Sequence, residues 1–429
     1  MLELEPTACT GCGACQNACP YDCITMEPDE RGFLYPHIDT SRCIECGACE
    51  AACPPLTPLM AYTSKPPASL AYFDKSHFRD EATSGAIFAM LAEFVLAKGG
   101  CVFGASYSSD MQLRHRSGDD VTDIYKFQGV KLAQSDTRFT MREARDALNA
   151  GRWVLYTGTP CQIEGFLAFL GREYETLITM DFVCAAVSSP LLLQHYLEGL
   201  HKDFHEEPIS FRVREKFKDH GYVEPYTKYV GKDTVKIFMP TARNEYCQLY
   251  ERGYGYRPSC RHCAFRKDHH VADFTISDAW SAVKPDWLKA VVPAKAAVNP
   301  AMAREAVNSS VAKEATSTTV VMDQAAIEAL VRESANKGVA IVQRNTEQAA
   351  LIWQECLSLT IKDKPVLNAV DYEVALEKAI NTGFTTDVPA PVDEAALFED
   401  LRTKRFRKAV GKYVGEEKPG FFKRLFGRR

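Results

Sequence analysis

Features that would mark a membrane-spanning, secreted or nucleic-acid-binding chain are missing from these 429 residues. The longest apolar run, Ile87 to Ala97, is interrupted by Glu93 and is too short to span a bilayer. The start, MLELEPTACTGCGAC, has neither the basic nor the apolar region of a signal peptide. The 51 Lys and Arg are outnumbered by 56 Asp and Glu, so the net charge of −5 gives no reason to expect a nucleic-acid partner. We therefore expect a cytoplasmic location.

Cysteine, by contrast, is abundant. The chain has 16 cysteines, although its hydrophobic fraction of 46% and charged fraction of 25% are those of an ordinary globular protein. Because cytosolic thiols stay reduced, clustered cysteines usually bind metal there. Nine of them lie in the first 53 residues: Cys9, Cys12, Cys15, Cys19, Cys23, Cys43, Cys46, Cys49 and Cys53. That density predicts a separate N-terminal module.

The module contains a repeat of the form C-x2-C-x2-C-x3-C-P, read as CTGCGACQNACP and again as CIECGACEAACP. Three closely spaced thiolates bind one face of a cubane cluster, and the fourth cysteine of each run binds the other cluster. A structural zinc site would leave half of these thiols over. The sequence therefore predicts two [4Fe-4S] clusters, with Cys23 packing beside one of them. The predicted ligand sets are Cys9, Cys12, Cys15 with Cys53, and Cys43, Cys46, Cys49 with Cys19.

Five regions follow from the pattern along the chain. They are a two-cluster ferredoxin module at 1–60, a proline-rich linker at 61–68, an α/β domain at 69–290, a C-terminal α/β extension at 291–401, and a basic tail at 402–429. The module is expected to contain a hairpin that turns at Asp29–Gly32, because Gly supplies the unusual backbone angles of such turns. Helices and strands alternate in the α/β domain, which predicts a parallel sheet covered by helices. The fold class is thus α/β (α+β).

Three local predictions can be compared with a structure. Ser84 is expected to cap a helix that runs to about Lys98. Adjacent strands from Ile209 to Met239 predict an antiparallel insertion. The C-terminal part is expected to be mostly helical, with a strand at Val339–Gln343.

A second metal site is predicted in the α/β domain from Cys161, Cys184, Cys260 and Cys263. Cys161 and Cys184 each follow a predicted strand, and the carboxyl ends of parallel strands share one edge of the sheet. Two thiols at that edge plus the CxxC loop could enclose either zinc or a cubane cluster, and the spacing leaves both open. In a third interpretation, Cys161 is a nucleophile with His195 as its base, but no acid is clearly placed to orient that histidine.

The sequence resembles the coenzyme F420 hydrogenase/dehydrogenase beta-subunit family, in the form that carries an N-terminal ferredoxin module. The motifs that carry the resemblance are TSGAIFAML at Thr83–Leu91, GVKLAQSD at Gly129–Asp136, GTPCQIEGF at Gly158–Phe166, DFVC at Asp181–Cys184, and SCRHCAF and DFTISDAW within Ser259–Trp280. The resemblance implies FAD and a third [4Fe-4S] cluster on the four cysteines of the second site. The flavin contacts that it implies are Thr83, Ser84, Gly85, Ala86, Lys131, Gln134, Ser135, Asp136 and Asp278.

The function that these features predict is an iron–sulfur flavoprotein oxidoreductase. Its flavin would exchange a hydride with coenzyme F420 or another organic substrate, and its clusters would pass electrons to a redox partner protein or a soluble carrier. The alternative is a non-catalytic subunit that wires electrons to a partner enzyme. The tail has eleven Lys and Arg against two Glu, which leaves two interpretations open: a solvated helix end, or a surface that contacts an acidic partner or the inner face of an anionic membrane.

Overall fold

The N-terminal module is built on one hairpin and two short helices. The structure, a computed structural model, describes residues 3–60, 66–216, 226–232, 236–266, 270–278, 338, 340–358, 360–361, 364–365, 367–371 and 390–414. Strands β1 (Ile24–Pro28) and β2 (Leu34–Ile38) pair antiparallel. Asp29 closes their turn, since its carboxylate accepts the N–H groups of Arg31 and Phe33. The predicted hairpin is confirmed.

The helices of the described residues are short in the module and longer in the α/β domain. They are α1 (Ala14–Ala18), α2 (Ala48–Ala51), α3 (Ser76–Glu81), α4 (Ile87–Ala97), α5 (Val121–Phe127), α6 (Thr140–Asn149), α7 (Pro160–Leu170), α8 (Pro190–Phe204), α9 (Glu245–Glu251), α10 (Pro258–Arg261), α11 (Glu347–Ser358), α12 (Glu394–Thr403) and α13 (Phe406–Val410).

A mixed sheet lies at the centre of the α/β domain. Its strands are β3 (Ala68–Phe73), β4 (Cys101–Tyr107), β5 (Leu113–Gly118), β6 (Val154–Thr157), β7 (Leu177–Phe182), β11 (Phe274–Asp278), β12 (Ala340–Arg344) and β15 (Leu367–Asp371). They lie in the order β15-β3-β12-β11-β7-β6-β4-β5. The core β4-β6-β7-β11 is parallel, as predicted. Both edges of the sheet add antiparallel strands, so the sheet as a whole is mixed.

The sheet is covered on both faces, and the alternation along its strands decides which side chain packs where. Leu155 faces a core formed with α4, α5 and α11. Val154 and Tyr156 face the opposite core, formed with α6 and α7. Cys12 and Ala14 of the N-terminal module belong to this second core. The module is therefore packed onto the face that carries α6 and α7.

Two further small sheets complete the described structure. Strands β8 (Pro208–Glu215), β9 (Tyr226–Gly231) and β10 (Lys236–Pro240) form the predicted antiparallel insertion, which packs with α8, α9, α12 and α13. Strands β13 (Thr360–Ile361) and β14 (Lys364–Pro365) pair antiparallel. The strand predicted at Val339–Gln343 is confirmed as β12, and β12 and β15 extend the central sheet.

The start of α4 corrects one local prediction. The helix begins at Ile87, and the residue before it is Ala86 in the left-handed region (φ 59°), so Ser84 does not cap it. The helix begins later than predicted because Gly85 packs closely against the sheet. A β-carbon at Gly85 would lie 2.7 Å from the Ala340 nitrogen. The Gly85 carbonyl accepts the Phe73 N–H at 2.8 Å, which ties the loop to β3.

No helix among the described residues is long and apolar enough to cross a membrane. The basic tail is described as far as Val414. There, α13 packs on α8, and Arg407 pairs with Asp203 and Glu245. Residues 415–429 of the tail lie outside the described residues. So do residues 279–337, which include the first part of the predicted extension.

Candidate cofactor sites

Three cavities in the structure are each lined by four of the predicted metal-ligand cysteines. The first is lined by Cys9, Cys12, Cys15 and Cys53, together with Leu4, Met26 and Pro36. These four cysteines are buried. The structure thus brings Cys53, from the second repeat, to the three closely spaced cysteines of the first, in the grouping that the repeats predict.

The second cavity is lined by Cys19, Cys43, Cys46 and Cys49, and Cys23 also borders it. It is more open, since Cys46 is exposed and Cys43 and Cys49 are half-buried. Cys23 is buried, with its sulfur 3.3 Å from that of Cys19. This hydrogen bond, followed by burial, raises the pKa of Cys23 to about 11. Cys23 thus lies beside the cavity as a protonated thiol, as expected of a packing residue.

The third cavity lies where α7, the loop after β7 and α10 meet. Cys161, Cys184, Cys260 and Cys263 line it, with Thr10 of the N-terminal module. Thr10 also lines the first cavity, so one residue separates the two. The third cavity is therefore built against the module rather than at a distance from it.

The motif GTPCQ explains how Cys161 is positioned. Pro160 occupies the first position of α7, and the Gln162 amide oxygen accepts the Thr159 N–H at 3.0 Å, one half of a capping box. Cys161 is thereby fixed in the first turn of the helix. Its sulfur lies 3.2 Å from the Thr159 hydroxyl, which can donate to a thiolate.

Burial raises the pKa of several thiols in the first and third cavities. It does so for Cys15 in the first cavity and for Cys161 and Cys184 in the third, and it raises the pKa of Cys260 to about 11. Thiolates become stable in such surroundings when a bound metal compensates their charge, and binding then releases protons.

The donor set of each cavity fits a four-iron cluster. Each cavity is lined by four cysteine thiols, and four thiolates are the ligands of a [4Fe-4S] cubane. In the part of the chain that the structure describes, no three or more His, Cys, Asp or Glu side chains are grouped so that they could hold a single metal ion.

A buried arginine fastens the module to the α/β domain. Arg257, just before α10, is fully buried. Its guanidinium donates to Cys9 O and Leu34 O, both at 2.9 Å, and lies 3.7 Å from the Cys9 sulfur. It also stacks over Tyr35 at 4.3 Å. No carboxylate among the described residues pairs with it, so a full positive charge lies beside the first cavity.

Gln134, predicted as a flavin contact, joins this interface instead. Its amide nitrogen donates to Thr10 O at 3.0 Å, and its oxygen accepts from Arg257 at 2.7 Å. Both polar ends of the side chain therefore have protein partners, Thr10 in the module and Arg257 in the α/β domain. A flavin contact by Gln134 stays a prediction.

Ser135, a second predicted flavin contact, belongs to a buried chain of hydrogen bonds that ends at the third cavity. Gln162 donates to the Ser135 hydroxyl at 3.2 Å, and that hydroxyl lies 3.0 Å from His115 Nδ1. His115 Nε2 lies 3.0 Å from the Thr157 carbonyl, so Nε2 carries the proton and Nδ1 accepts. Burial lowers the pKa of His115 to about 4, which keeps the ring neutral.

The remaining predicted flavin residues lie around the loop before α4. The Thr83 hydroxyl is buried and has no hydrogen-bond partner among the described residues. Lys216 donates to Ser84 O at 2.9 Å, and Arg212 donates to Glu81 O at 3.0 Å. Lys131 donates to Phe127 O at 2.7 Å and to two neighbouring carbonyls, and its pKa is lowered to about 7 by burial and then by Arg212. The orphaned Thr83 hydroxyl, in a segment whose carbonyls are bound by Lys216 and Arg212, fits an anionic ligand.

Asp136 and Asp278 do not join this loop through any contact that the structure shows. The Asp136 carboxylate accepts the Arg138 N–H at 2.9 Å. Asp278, at the end of β11, lies 3.6 Å from Arg214. Their flavin contacts therefore stay predictions.

The structure does not bring together the residues of the nucleophile interpretation. His195 lies on α8 with its Nδ1 3.9 Å from Glu198, and it is not among the described residues that line the cavity of Cys161. A different histidine is buried near that cavity. His270 lies 2.7 Å from Asp181, which also accepts the Thr275 hydroxyl at 2.6 Å.

Three of these residues were missed by the sequence analysis: Arg257, His115 and His270. Neither Arg257 nor His115 lies in a recognisable motif, and their roles depend on tertiary contacts. His270 lies five residues before Thr275, and both contact Asp181, three residues before Cys184. The sequence signal for His270 is therefore its partner Asp181, which belongs to the DFVC motif.

Comparison with known proteins agrees with this architecture. Residues 8–55 match the 4Fe-4S dicluster domain. Residues 151–348 match the C terminus of the beta subunit of coenzyme F420 hydrogenase/dehydrogenase, a range that contains all four cysteines of the third cavity. No curated protein matches the chain.

A solved structure of the F420-reducing [NiFe] hydrogenase complex from Methanosarcina barkeri is also similar to this chain. The match has 13% identity and a TM-score of 0.40, and it covers 84% of this chain and 97% of that one.

The fold and the dicluster match define an iron–sulfur electron-transfer protein. Over residues 151–348 the chain matches the coenzyme F420 hydrogenase/dehydrogenase beta-subunit family, and it carries a 4Fe-4S dicluster domain at its N-terminus. The resemblance inferred from the motifs is confirmed.

Proposed function

We propose that each of the three cavities holds a [4Fe-4S] cluster, that the loop at Thr83–Ala86 binds FAD, and that the protein is an oxidoreductase. When bound, FAD exchanges a hydride with coenzyme F420 or another organic substrate, and the clusters carry single electrons to an external carrier. The F420 part of the proposal rests on the family, since no described residue identifies a deazaflavin pocket.

The observation that carries this proposal is that three cysteine cavities lie next to one another. The second cavity has an exposed cysteine, the first is buried, and the third, whose four cysteines are half-buried, shares Thr10 with the first. Such a row joins the exposed second cavity to the α/β domain. It suits a path for electrons better than three independent structural sites.

The flavin part is supported by the residues around the loop before α4. Thr83 offers an unpartnered buried hydroxyl, and Lys216 and Arg212 bring positive charge to the carbonyls of Ser84 and Glu81. A pyrophosphate there would be bound by hydroxyl and ammonium donors. Because Gln134 and Ser135 are engaged elsewhere, the alternative of an electron-wiring subunit without flavin is kept as the second candidate.

A binding experiment separates the two candidates. FAD would be titrated into anaerobically purified, flavin-stripped protein, and binding followed by quenching of flavin fluorescence and by equilibrium dialysis. We expect about one FAD per chain, bound at least tenfold more weakly by Lys216→Met and Thr83→Val, since a hydrogen bond to a charged group contributes about 1.5–3 kcal/mol. Lys98→Met is the matched control, because Lys98 lies at the opposite end of α4, where it pairs with Glu355.

Two results would contradict the flavin site. The first is wild-type protein that binds no FAD, which would favour the wiring subunit. The second is equal FAD affinity in the Lys216→Met and Lys98→Met variants, which would place the flavin elsewhere.

A further inference from the structure

The two cysteine repeats give the module two loops of the same backbone conformation. We call residues 9–13 (CTGCG) the docked loop and residues 43–47 (CIECG) the open loop. Gly11 and Glu45 occupy equivalent positions with φ of 66° and 57°, and Gly13 and Gly47 do so with φ of 78° and 75°. What one loop does can therefore be compared with the other, position by position.

The docked loop is covered by the α/β domain. A β-carbon on Gly11 would lie 2.5 Å from Gln134 Nε2 and 2.7 Å from Arg257 Nη1. Three successive carbonyls of this loop, those of Cys9, Thr10 and Gly11, accept hydrogen bonds from Arg257 or Gln134. The domain thus recognises the loop through its backbone, with a cation placed over it.

The open loop presents the same features to solvent. Ile44 is 58% exposed and nearby Tyr21 is 48% exposed, while Glu45 and Cys46 are also exposed. The carbonyls of Cys43, Ile44 and Glu45 accept no hydrogen bond from the residues that the structure describes. A β-carbon on Gly47 would meet nothing nearer than Glu50 Oε2 at 3.9 Å.

The charge of the module indicates what could cover this loop. The first 60 residues carry nine Asp and Glu, two Arg and no Lys. The net charge of this segment is therefore −7. Glu45 places one of these charges on the open loop itself, where the docked loop has Gly11. A positively charged surface would be attracted to the module, and a negatively charged one would be repelled.

We propose that the open loop docks a partner protein that presents basic side chains around a small apolar contact, with Ile44 and Tyr21 as that contact. A Lys or Arg of the partner takes the place over the open loop that Arg257 takes over the docked loop. This inference rests on the proposed function, because it makes the second cavity the point where electrons leave or enter the protein.

The test uses reduced holoprotein and electron acceptors of opposite charge. In anaerobic stopped-flow experiments, one electron passes to the ferric haem of a basic cytochrome c, to an acidic plant-type ferredoxin, or to a small neutral quinone. Each rate would be measured between 10 and 300 mM salt. For the wild type we expect the cytochrome rate to fall at least tenfold over that range.

Charge reversal at Glu45 should reverse this preference. We expect Glu45→Lys to lower the ratio of the cytochrome rate to the quinone rate at least fivefold at low salt, and to raise the corresponding ratio for the acidic ferredoxin. Glu27→Lys makes the same charge change on an exposed position of β1 and should keep both ratios within twofold. Iron content would be checked for each variant, so that loss of a cluster is not taken for loss of docking.

Several outcomes would overturn the inference. Equal effects of Glu45→Lys and Glu27→Lys, or a cytochrome rate independent of salt, would show that the open loop does not select a basic partner. A cytochrome rate that rises more than twofold on deletion of residues 415–429 would show that the chain's own basic tail covers the loop. Wild-type protein that contains iron but reduces no acceptor, the quinone included, would overturn the proposed function itself.

Discussion

The docked loop and the open loop share their cysteine spacing and their backbone angles, and they differ in what surrounds them. Arg257 and Gln134 lie over the first, and solvent lies over the second. The ligand pattern therefore does not decide how a cluster is connected to the rest of the molecule. That is decided by residues between the cysteines, such as Gly11 against Glu45, and by buried groups far away in sequence, such as Arg257.

Clusters with the same ligands differ in reduction potential when their charge and solvent surroundings differ. The first cavity has a buried guanidinium beside Cys9, and the second has exposed Cys46 and acidic Glu45. A positive charge stabilises the reduced form of a cluster and a negative charge destabilises it. These charges raise the potential at the inner site and lower it at the outer site.

The largest effect is expected when Arg257 is removed. Arg257→Leu would leave the acceptors Cys9 O, Leu34 O and Gln134 Oε1 without their donor, which costs about 3–9 kcal/mol in total at about 1–3 kcal/mol each. The matched change is Arg142→Leu, since Arg142 also binds the module, donating to Cys19 O at 2.6 Å, but it is partly exposed and pairs with Asp22. Thermal unfolding of both variants at one scan rate measures the difference. Equal losses of Tm in the two variants would contradict the prediction that Arg257 stabilises the protein more than Arg142 does.

The second largest effect is expected from acid, which lowers the stability of the protein by protonating His115. Its folded pKa of about 4 lies below the ordinary value of 6.5, so between these pH values the unfolded chain binds a proton that the folded chain does not. Stability should therefore fall by about 3 kcal/mol as pH falls from 7 to 4. His115→Gln lacks this titration, so the wild-type Tm should fall further than that of the variant over this range. Parallel curves for the two proteins would refute the assignment.

A matched pair of glycines isolates packing from backbone strain. Gly13→Ala and Gly47→Ala both place a side chain at positive φ, which costs about 1–2 kcal/mol. At Gly13 the new β-carbon would also overlap Thr137 Oγ1, which adds about 1–3 kcal/mol. We expect Gly13→Ala to show the larger drop in Tm. A larger drop for Gly47→Ala would mean that the open loop is covered after all.

The smallest expected effect is a gain in stability. Glu45 has a φ of 57°, a left-handed conformation that is strained for a residue with a side chain. Glu45→Gly relieves this strain and should stabilise the protein by about 1 kcal/mol or less. A rise in Tm of a degree or two, with the iron content unchanged, is the expected result. A loss of stability would show that the Glu45 side chain makes a contact that holds the loop.

Much of this architecture could be predicted from local patterns. The cysteine runs predict the groupings around the first two cavities, the hairpin turn follows from Asp29 and Gly32, and the GTPCQ motif predicts where α7 begins. These features depend on residues close together in sequence. The parallel core also follows from the alternation of helices and strands between Cys101 and Asp278.

What could not be predicted depends on distant segments. One antiparallel edge comes from strands at Ala68–Phe73, Ala340–Arg344 and Leu367–Asp371, and no local pattern indicates their order. Ser84 looks like a helix cap, but close packing of Gly85 against β3 and β12 moves the start of α4 to Ile87. The role of Arg257 could not be predicted, because its contact with the docked loop exists only in the folded protein.

The most direct test is the iron, acid-labile sulfide, zinc and flavin content of protein purified without oxygen. Three four-iron clusters predict about twelve iron and twelve sulfide per chain, with little zinc and about one FAD. Cys184→Ser should then lower the iron content by about four while sparing the module. About eight iron with one zinc would contradict the third cluster, and four iron or fewer would contradict the electron path.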